Sequence, residues 1–365
     1  MHEIQAEHWS RRYPEHLLEH AAWLRALALE IDADPQSVMQ RVDHPLFALL
    51  TRSEPPGTLD RVRLFEALAY GDAGALLSGP GPGFPGVIVR ELGSPAQQQV
   101  FFDTVSERRA RTFLAVAEPA KVSDAAGMTC RIDAAGRLTG EKWLVGHAAS
   151  GEIGVVIVRT GNGPYSLGAL LLTPDVLSDR TRLERHILPM PGLKGALLGH
   201  MSFSGLQLGA DALLGAHLHP LQRGMAALIR TFSRFRPCVA SMALGHAQAM
   251  ADYARIQLHG MPAQAETLDA WDARLCAARR LVHLAAAEAD RAPDAAPHIS
   301  LASVTATRIC EAIADDVPGL LGTRALLDHP WLEKAVRDAL AFECLEGATN
   351  IHLDQTGALP AGFPS

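Results

Sequence analysis

The spacing of apolar residues changes twice along this chain, and that change restricts the fold more than any other feature of the sequence. Apolar residues recur at helical spacing from about residue 15 to 111, as at Leu17, Leu24 and Leu68. Short β-rich runs separated by Gly, Asn, Pro and Asp occupy roughly residues 113 to 215. Beyond that point the pattern is helical again to near the C terminus. The sequence therefore predicts an α+β multi-domain chain with bounds 1–112, 113–215 and 216–365.

The middle and C-terminal parts each favour one architecture. Short strands with repeated turn signals predict an antiparallel β-barrel or sandwich in which one face of each strand is buried. The predicted strands are 113–116, 137–145, 153–160, 167–172 and 200–208. Four long amphipathic stretches then predict a four-helix bundle; they are 221–258, 262–290, 298–315 and 324–345. Prolines such as Pro262 and Pro318 are expected between the helices, and Glu333 and Arg337 have the spacing of an ion pair on the last one.

Composition excludes several classes of function. The net charge of −7 comes without a basic stripe, so a nucleic-acid partner is not expected. No basic start followed by an apolar run and no stretch of about 18 apolar residues occurs, which predicts a soluble, cytoplasmic protein without membrane contact. The five cysteines form no CxxC pair. With only His217 and His219 close together, neither a disulfide framework nor a metal site is predicted.

Three short segments stand near the joints between these parts. Residues 114–124 contain Glu118-Pro119 followed by Ser123-Asp124, residues 140–145 read Gly-Glu-Lys-Trp-Leu-Val, and residues 345–351 read Leu-Glu-Gly-Ala-Thr-Asn-Ile. In this order and separation they resemble the acyl-CoA dehydrogenases, from about residue 59 onward. The first resembles that family's Glu-Pro loop with its Ser-Asp pair. The second resembles its Gly-x-Lys-x-Trp strand or the Gly-x-Lys-Trp variant, and the third its Tyr-Glu-Gly-Thr-x-x-Ile segment.

The resemblance implies FAD as cofactor and an acyl thioester as substrate. It places Trp143 against the flavin ring and makes Ser123 a candidate for the pyrophosphate. The implied cofactor-binding residues are Val116, Ala117, Ser123, Trp143, Val145 and Thr349, and the implied substrate-binding residues are Ser123 and Gly347. From the residues alone, Trp143 is better explained as a core residue of a β domain, and Ser123-Asp124 is explained equally well as an ordinary turn.

Glu346 is the catalytic residue that the resemblance implies, as the base that removes the α-proton of the thioester. The residue is predicted at the end of the last helix, next to Gly347, where the helix dipole disfavours a carboxylate. A solvated Glu at a helix end is the simpler alternative. A carboxylate desolvated beside an apolar ring would have the raised pKa that such a base needs. Some members of the family carry the base just before the arginine that matches Arg236, but Phe235 occupies that position here.

The sequence also departs from the family pattern. Ala117 and Val145 stand where the family usually has threonines that face the flavin, and residues 255–260 and 315–322 lack clear matches. Such divergence suggests a specialised member that acts on acyl-CoA or on a thioester held by an acyl carrier protein, in a biosynthetic pathway. The expected partners are that thioester, an electron acceptor and further copies in a homodimer or homotetramer. A flavin monooxygenase and a non-catalytic partner subunit on the same fold are the alternatives.

Overall fold

The structure, a computed structural model, describes residues 12–52, 57–119, 127–163, 166–219, 222–259, 264–295 and 298–345. Six helices precede the first strand: α1 (Glu15–Ala33), α2 (Val38–Arg41), α3 (Pro45–Leu50), α4 (Thr58–Leu77), α5 (Gly83–Leu92) and α6 (Pro95–Arg108). Local chemistry explains where α6 begins, because Ser94 and Gln97 form a capping box and Pro95 occupies the first helical position. Helix α5 begins at Gly83, inside a segment whose prolines and glycines predict only turns.

Helix α4 is interrupted at Asp72, whose backbone is extended with φ −165° and ψ 124°. The Asp72 carboxylate accepts the N–H of Ala75 at 2.8 Å and so caps the last turns of the helix. The guanidinium of Arg25 on α1 donates to the carbonyls of Tyr70 and Gly71, which the break leaves without helical partners. A Cβ at Gly71 would lie 2.2 Å from the carbonyl oxygen of Ala21, so only glycine permits this approach of α1 to α4.

Seven strands form one sheet: β1 (Thr112–Ala115), β2 (Arg131–Ile132), β3 (Arg137–Val145), β4 (Ile153–Arg159), β5 (Leu167–Leu172), β6 (Leu183–Ile187) and β7 (Gly199–Gln207), with a short α7 (Pro174–Leu177) between β5 and β6. Its path is β1-β4-β2-β3-β7-β6, and β5 pairs with β4. The predicted β domain is confirmed, but the sheet is mixed, because β1 and β2 both pair with β4 in parallel. The long connection through the β2–β3 hairpin allows β4 to run in the direction of β1.

Strand β4 is buried on both faces, whereas the sequence predicts one buried face for each strand. Ile153, Val155 and Ile157 pack into an apolar cluster with α5 and α6. Val156 and Val158 point the other way, into the cluster beneath β3 and β7. A strand covered on both sides has a continuous apolar run instead of alternation, as this one does.

The C-terminal part consists of α8 (Met225–Gln257), α9 (Ala265–Arg291), α10 (His298–Leu321), α11 (Ala325–Asp328) and α12 (Pro330–Ala341). The predicted four-helix bundle is confirmed, with α8, α9, α10 and α12 as its members. Two details of the prediction are wrong. Pro318 lies inside α10 instead of ending it, and the stretch 324–345 is divided at His329 into α11 and α12. Within the described ranges, none of the helices combines the length and the apolar character needed to cross a bilayer.

Candidate active site

A buried ion pair joins the end of β1 to β3. The Nζ of Lys142 on β3 lies 2.8 Å from the carbonyl oxygen of Val116 and 3.2 Å from Oε1 of Glu118. The side chain of Lys142 is 0% exposed and that of Glu118 is 7% exposed. Burial lowers the pKa of Lys142, and the carboxylate offsets part of that shift. The first two of the three segments that resemble the family, residues 114–124 and 140–145, are therefore in direct contact.

The carboxylate of Glu118 accepts further hydrogen bonds from two residues just before β2. Thr129 donates its N–H at 2.8 Å and its hydroxyl at 2.6 Å, and Cys130 donates its N–H at 2.8 Å. Burial alone would raise the pKa of Glu118, but the bonds from Thr129, then Cys130 and Lys142, lower it, so the group is an anion. One carboxylate thus ties together both ends of the segment 119–128.

Two backbone features of β3 explain why the Gly-x-Lys-Trp pattern occurs there. Gly140 has φ +133°, and a Cβ on it would lie 2.6 Å from the Cα of Cys130, so glycine is required. The pairing of β3 with β7 shifts between Lys142 and Val145, and Leu144 within that bulge has φ +53°. Bulges change the direction of neighbouring side chains, and left-handed non-glycine residues concentrate at functional sites.

Trp143 lies at this bulge and is held from two sides. Its backbone N–H donates to the carbonyl oxygen of Ala117 at 2.9 Å. Its indole lies 5.3 Å from the imidazole of His200 between ring centres, at an interplanar angle of 56°. The indole is half-buried, whereas a simple core residue of the sheet would be fully covered. A partly exposed indole can offer an apolar face for another flat ring to cover.

The positions where the family has threonines differ in their surroundings. Ala117 is half-buried at the end of β1. Val145 is 0% exposed and packs in the apolar cluster beneath β3 and β7. Val116 is half-buried and packs against the cluster that contains α5 and α6. Of the two threonine positions, Ala117 is therefore the one from which a hydroxyl could reach a bound molecule.

Phe235, at the alternative position for a base, belongs to an aromatic group. Its ring stacks on Phe84 with 4.7 Å between centres and an interplanar angle of 12°. Phe65 meets it edge-on at 6.3 Å, and Phe232 meets Phe84 edge-on at 4.7 Å. Phe235 is 8% exposed and offers no group that accepts a proton. The structure thus excludes this residue as a base.

The chain leaves α12 through a 3-10 turn over Phe342–Cys344 and reaches Leu345, the last residue that the structure describes. The ring of Phe342 is buried and lies 5.8 Å from the imidazole of His246. Glu346 follows immediately. Glu346, Gly347, Thr349 and Ser123 all lie outside the described residues, so their roles stay predictions. Among the residues that are described, no group of three or more metal-ligating side chains occurs.

A second buried charge network holds α12 in place, and the sequence does not predict it. The Nζ of Lys334 lies 2.6 Å from Asp72 Oδ1 and 2.5 Å from Asp338 Oδ2. Trp331 donates its indole N–H to Asp72 at 3.1 Å, and Leu193, in the β6–β7 connection, donates its N–H to Asp338 at 2.6 Å. The signals in the sequence are Asp72 within the largely apolar α4 and the i,i+4 spacing of Lys334 and Asp338. This network joins α4, α12 and the sheet.

Comparison with known proteins agrees with the fold described above. Residues 222–358 match the family model described as the acyl-CoA dehydrogenase C-terminal domain. No curated protein sequence matches the chain. A glutaryl-coenzyme A dehydrogenase in complex with glutaryl-CoA has a similar structure, with a TM-score of 0.81 at 17% identity over 98% of this chain and 99% of that one.

Two further solved structures are similar over most of their length. Butyryl-CoA dehydrogenase from Megasphaera elsdenii has a TM-score of 0.78 at 18% identity and covers 96% of this chain and 99% of its own. The FAD complex of PigA has a TM-score of 0.76 at 14% identity and covers 96% and 98%. At these identities the structures establish the fold, and the matched C-terminal domain adds the sequence relationship. Residues 222–358 are thus related in sequence to the acyl-CoA dehydrogenase C-terminal domain, and the chain as a whole has the fold of the acyl-CoA dehydrogenases.

The described residues fit a flavin ring, because Trp143 is only partly buried and its backbone N–H is bound to Ala117, which is also only partly buried. Replacing Ala117 by threonine is expected to lower the FAD dissociation constant by about two- to tenfold, the effect of one added hydrogen bond of about 0.5–1.5 kcal/mol. Val145→Thr is the matched variant. Its hydroxyl would be buried in an apolar cluster, so we expect a lower unfolding midpoint and no tighter binding. Fluorescence titration of the apoprotein with FAD measures the affinities, and thermal unfolding measures the midpoint. An unchanged affinity in Ala117→Thr would show that this residue does not face the cofactor.

Proposed function

We propose that this protein is an FAD-dependent acyl-thioester dehydrogenase that converts a saturated acyl thioester into its 2-enoyl form, with Glu346 as the α-proton base. The observation that carries the proposal is the meeting of residues 116–118 with residues 140–145 around the half-buried Trp143. Two of the three segments that resemble the family are thus assembled into one site. The third segment begins at Leu345, at the end of the last bundle helix.

Each residue of the proposed site has its own part in the reaction. Trp143, Val116 and Ala117 cover the flavin ring, while Ser123 and Thr349 donate hydrogen bonds to the cofactor. Glu346 takes the α-proton, and its backbone N–H binds the thioester carbonyl, where negative charge develops. When bound, FAD accepts the hydride that leaves the β-carbon. Phe235, packed among three other phenylalanines, supplies no competing base.

The carrier of the acyl group, the electron acceptor and the oligomeric state are also proposals. The acyl group is carried by CoA or by an acyl carrier protein. One similar structure is a complex with glutaryl-CoA, and another is described as the electron-transferring flavoprotein of Acidaminococcus fermentans. For this chain we propose a separate electron acceptor, a homodimer or homotetramer in the cytoplasm, and domain bounds of 1–112, 113–215 and 216–365.

The visible spectrum of the purified protein tests the activity. The protein is saturated with FAD and mixed without oxygen with a panel of acyl-CoA and acyl-carrier thioesters. The flavin band is expected to bleach with at least one member of the panel, because the substrate transfers two electrons to the cofactor. A protein that takes up no FAD would refute the proposal. FAD uptake without bleaching by either carrier would favour a non-catalytic subunit, and oxygen consumption by the reduced protein would favour a monooxygenase.

A further inference from the structure

Lys142 is buried to an extent that is unusual for a lysine, since its side chain is 0% exposed. Removing an ammonium group from water costs several kcal/mol unless its hydrogen bonds are replaced. Two acceptors replace them here: the carbonyl oxygen of Val116 at 2.8 Å and Oε1 of Glu118 at 3.2 Å. Both acceptors belong to the stretch that leaves β1. The lysine therefore fixes the path of that stretch relative to β3.

Lys142 directly precedes Trp143 in the chain, so its contact with Val116 also affects the position of Trp143. Its neighbour Trp143 is tied by its own N–H to Ala117, so the two strands are linked at two consecutive residues. Immediately afterwards β3 bulges, with Leu144 at φ +53°. Without the ammonium, the carbonyl of Val116 would lose the donor that holds it against β3. The backbone of Trp143 is thus bound to the same stretch that Lys142 holds.

Glu118 extends the same arrangement to Thr129 and Cys130, which precede β2. Its carboxylate accepts three hydrogen bonds, from the N–H and hydroxyl of Thr129 and from the N–H of Cys130, at 2.6–2.8 Å. The pair therefore anchors both ends of the segment 119–128 and the strand β3 at one point. A group that holds ligand-contacting residues in place before the ligand arrives lowers the entropy lost on binding.

We propose that Lys142 and Glu118 are positioning residues for the flavin: they touch no cofactor themselves, but they hold Val116, Ala117 and Trp143 in the arrangement that binds its ring. The proposal rests on the proposed function for the identity of the ligand, FAD. The competing explanation is that the pair only stabilises the sheet. The two explanations differ in whether a folded protein without the pair still binds FAD normally.

Lys142→Met keeps the length of the side chain and removes its charge. Its matched control is Arg137→Met, which breaks the Arg137–Asp133 ion pair of 2.9 Å on the same strand, where Arg137 is 57% exposed. FAD affinity is measured by fluorescence titration of the apoproteins at a temperature where circular dichroism shows that all variants are folded. We expect Lys142→Met to raise the dissociation constant at least about tenfold, the size seen when outer-shell partners of ligand-holding residues are lost. We expect Arg137→Met to leave it unchanged.

The visible band of the bound flavin gives a second measurement, because its position and fine structure report the surroundings of the ring. We expect both to change in Lys142→Met and neither in Arg137→Met. Wild-type affinity and an unaltered band in a folded Lys142→Met protein would overturn the proposal while leaving the proposed function intact. A wild-type protein that binds no FAD would overturn both. If Lys142→Met does not fold, Glu118→Gln is judged by the same two criteria.

Discussion

Glu346→Gln is expected to lower the rate at which an acyl thioester bleaches the bound flavin by about 10²- to 10⁴-fold, the usual contribution of a general base. Glutamine retains the shape of the side chain and can accept a hydrogen bond, but it cannot take the α-proton. FAD affinity is expected to stay within about twofold of wild type, since the proposed role of the side chain is proton removal. Stopped-flow absorbance under anaerobic conditions measures the rate.

Glu343→Gln is the matched control for this experiment. Glu343 is half-buried in the 3-10 turn that precedes Leu345, and it carries the same carboxylate three residues earlier. Its replacement is expected to leave bleaching within about twofold of wild type, as for substitutions away from the reacting atoms. Because Phe235 is an aromatic ring inside an apolar cluster, no second base is expected to compensate for Glu346. Rapid bleaching in Glu346→Gln would therefore refute the assignment of the base.

Lys334→Met is expected to lower the free energy of unfolding by about 3–5 kcal/mol, because it leaves a buried carboxylate without its counter-charge. Burial alone would raise the pKa of Asp72, but the Lys334 ammonium more than offsets this and the net shift is downward. Burial raises the pKa of Asp338, and Lys334 only partly opposes that shift. Lys334 therefore lies between two buried carboxylates, 2.6 Å from Asp72, whose pKa it lowers, and 2.5 Å from Asp338, whose pKa stays raised. Urea unfolding at pH 7 measures the loss.

Two variants make this prediction specific. Asp338→Asn is expected to cost less, about 1–2 kcal/mol, because asparagine keeps an oxygen that can accept a hydrogen bond and the Lys334 ammonium stays paired with Asp72. Arg324→Met breaks an ion pair on α11 in which the side chains are 76% and 50% exposed, and it is expected to change stability by less than about 0.5 kcal/mol. If Lys334→Met were no less stable than Arg324→Met, the buried pair would contribute nothing to the fold.

The sequence predicts those elements whose burial pattern is strong and local. The predicted strands 137–145 and 167–172 coincide with β3 and β5, and the ion pair of Glu333 with Arg337 forms as the spacing indicates, at 2.6 Å. Strand β6 is not predicted because its sequence, Leu-Glu-Arg-His-Ile, places charged and polar residues on an edge of the sheet. Pro318 indicates a break in the sequence, but a helix held by bundle packing tolerates the loss of one hydrogen bond near its end.

The candidate site is predictable in part. The Gly-x-Lys-Trp segment points to Trp143, but no pattern in the sequence indicates the bulge at Leu144 or the contact of Lys142 with Val116. These depend on residues that are 26 positions apart in the chain and meet only when β1 and β3 come together. Asp72 and Lys334 are separated by 262 positions, and their pairing is likewise invisible in one dimension.

By itself the sequence determined the succession of helices, strands and bundle, because hydrophobic periodicity and turn residues act over a few neighbouring positions. It also determined the family resemblance through three short segments. Only the tertiary structure decided which buried charges are paired, that β1 and β4 run parallel, and that Phe235 lies in an aromatic cluster. The physical reason is that a buried charge or an aromatic ring is stabilised by partners distant in sequence, and only the packed chain selects those partners.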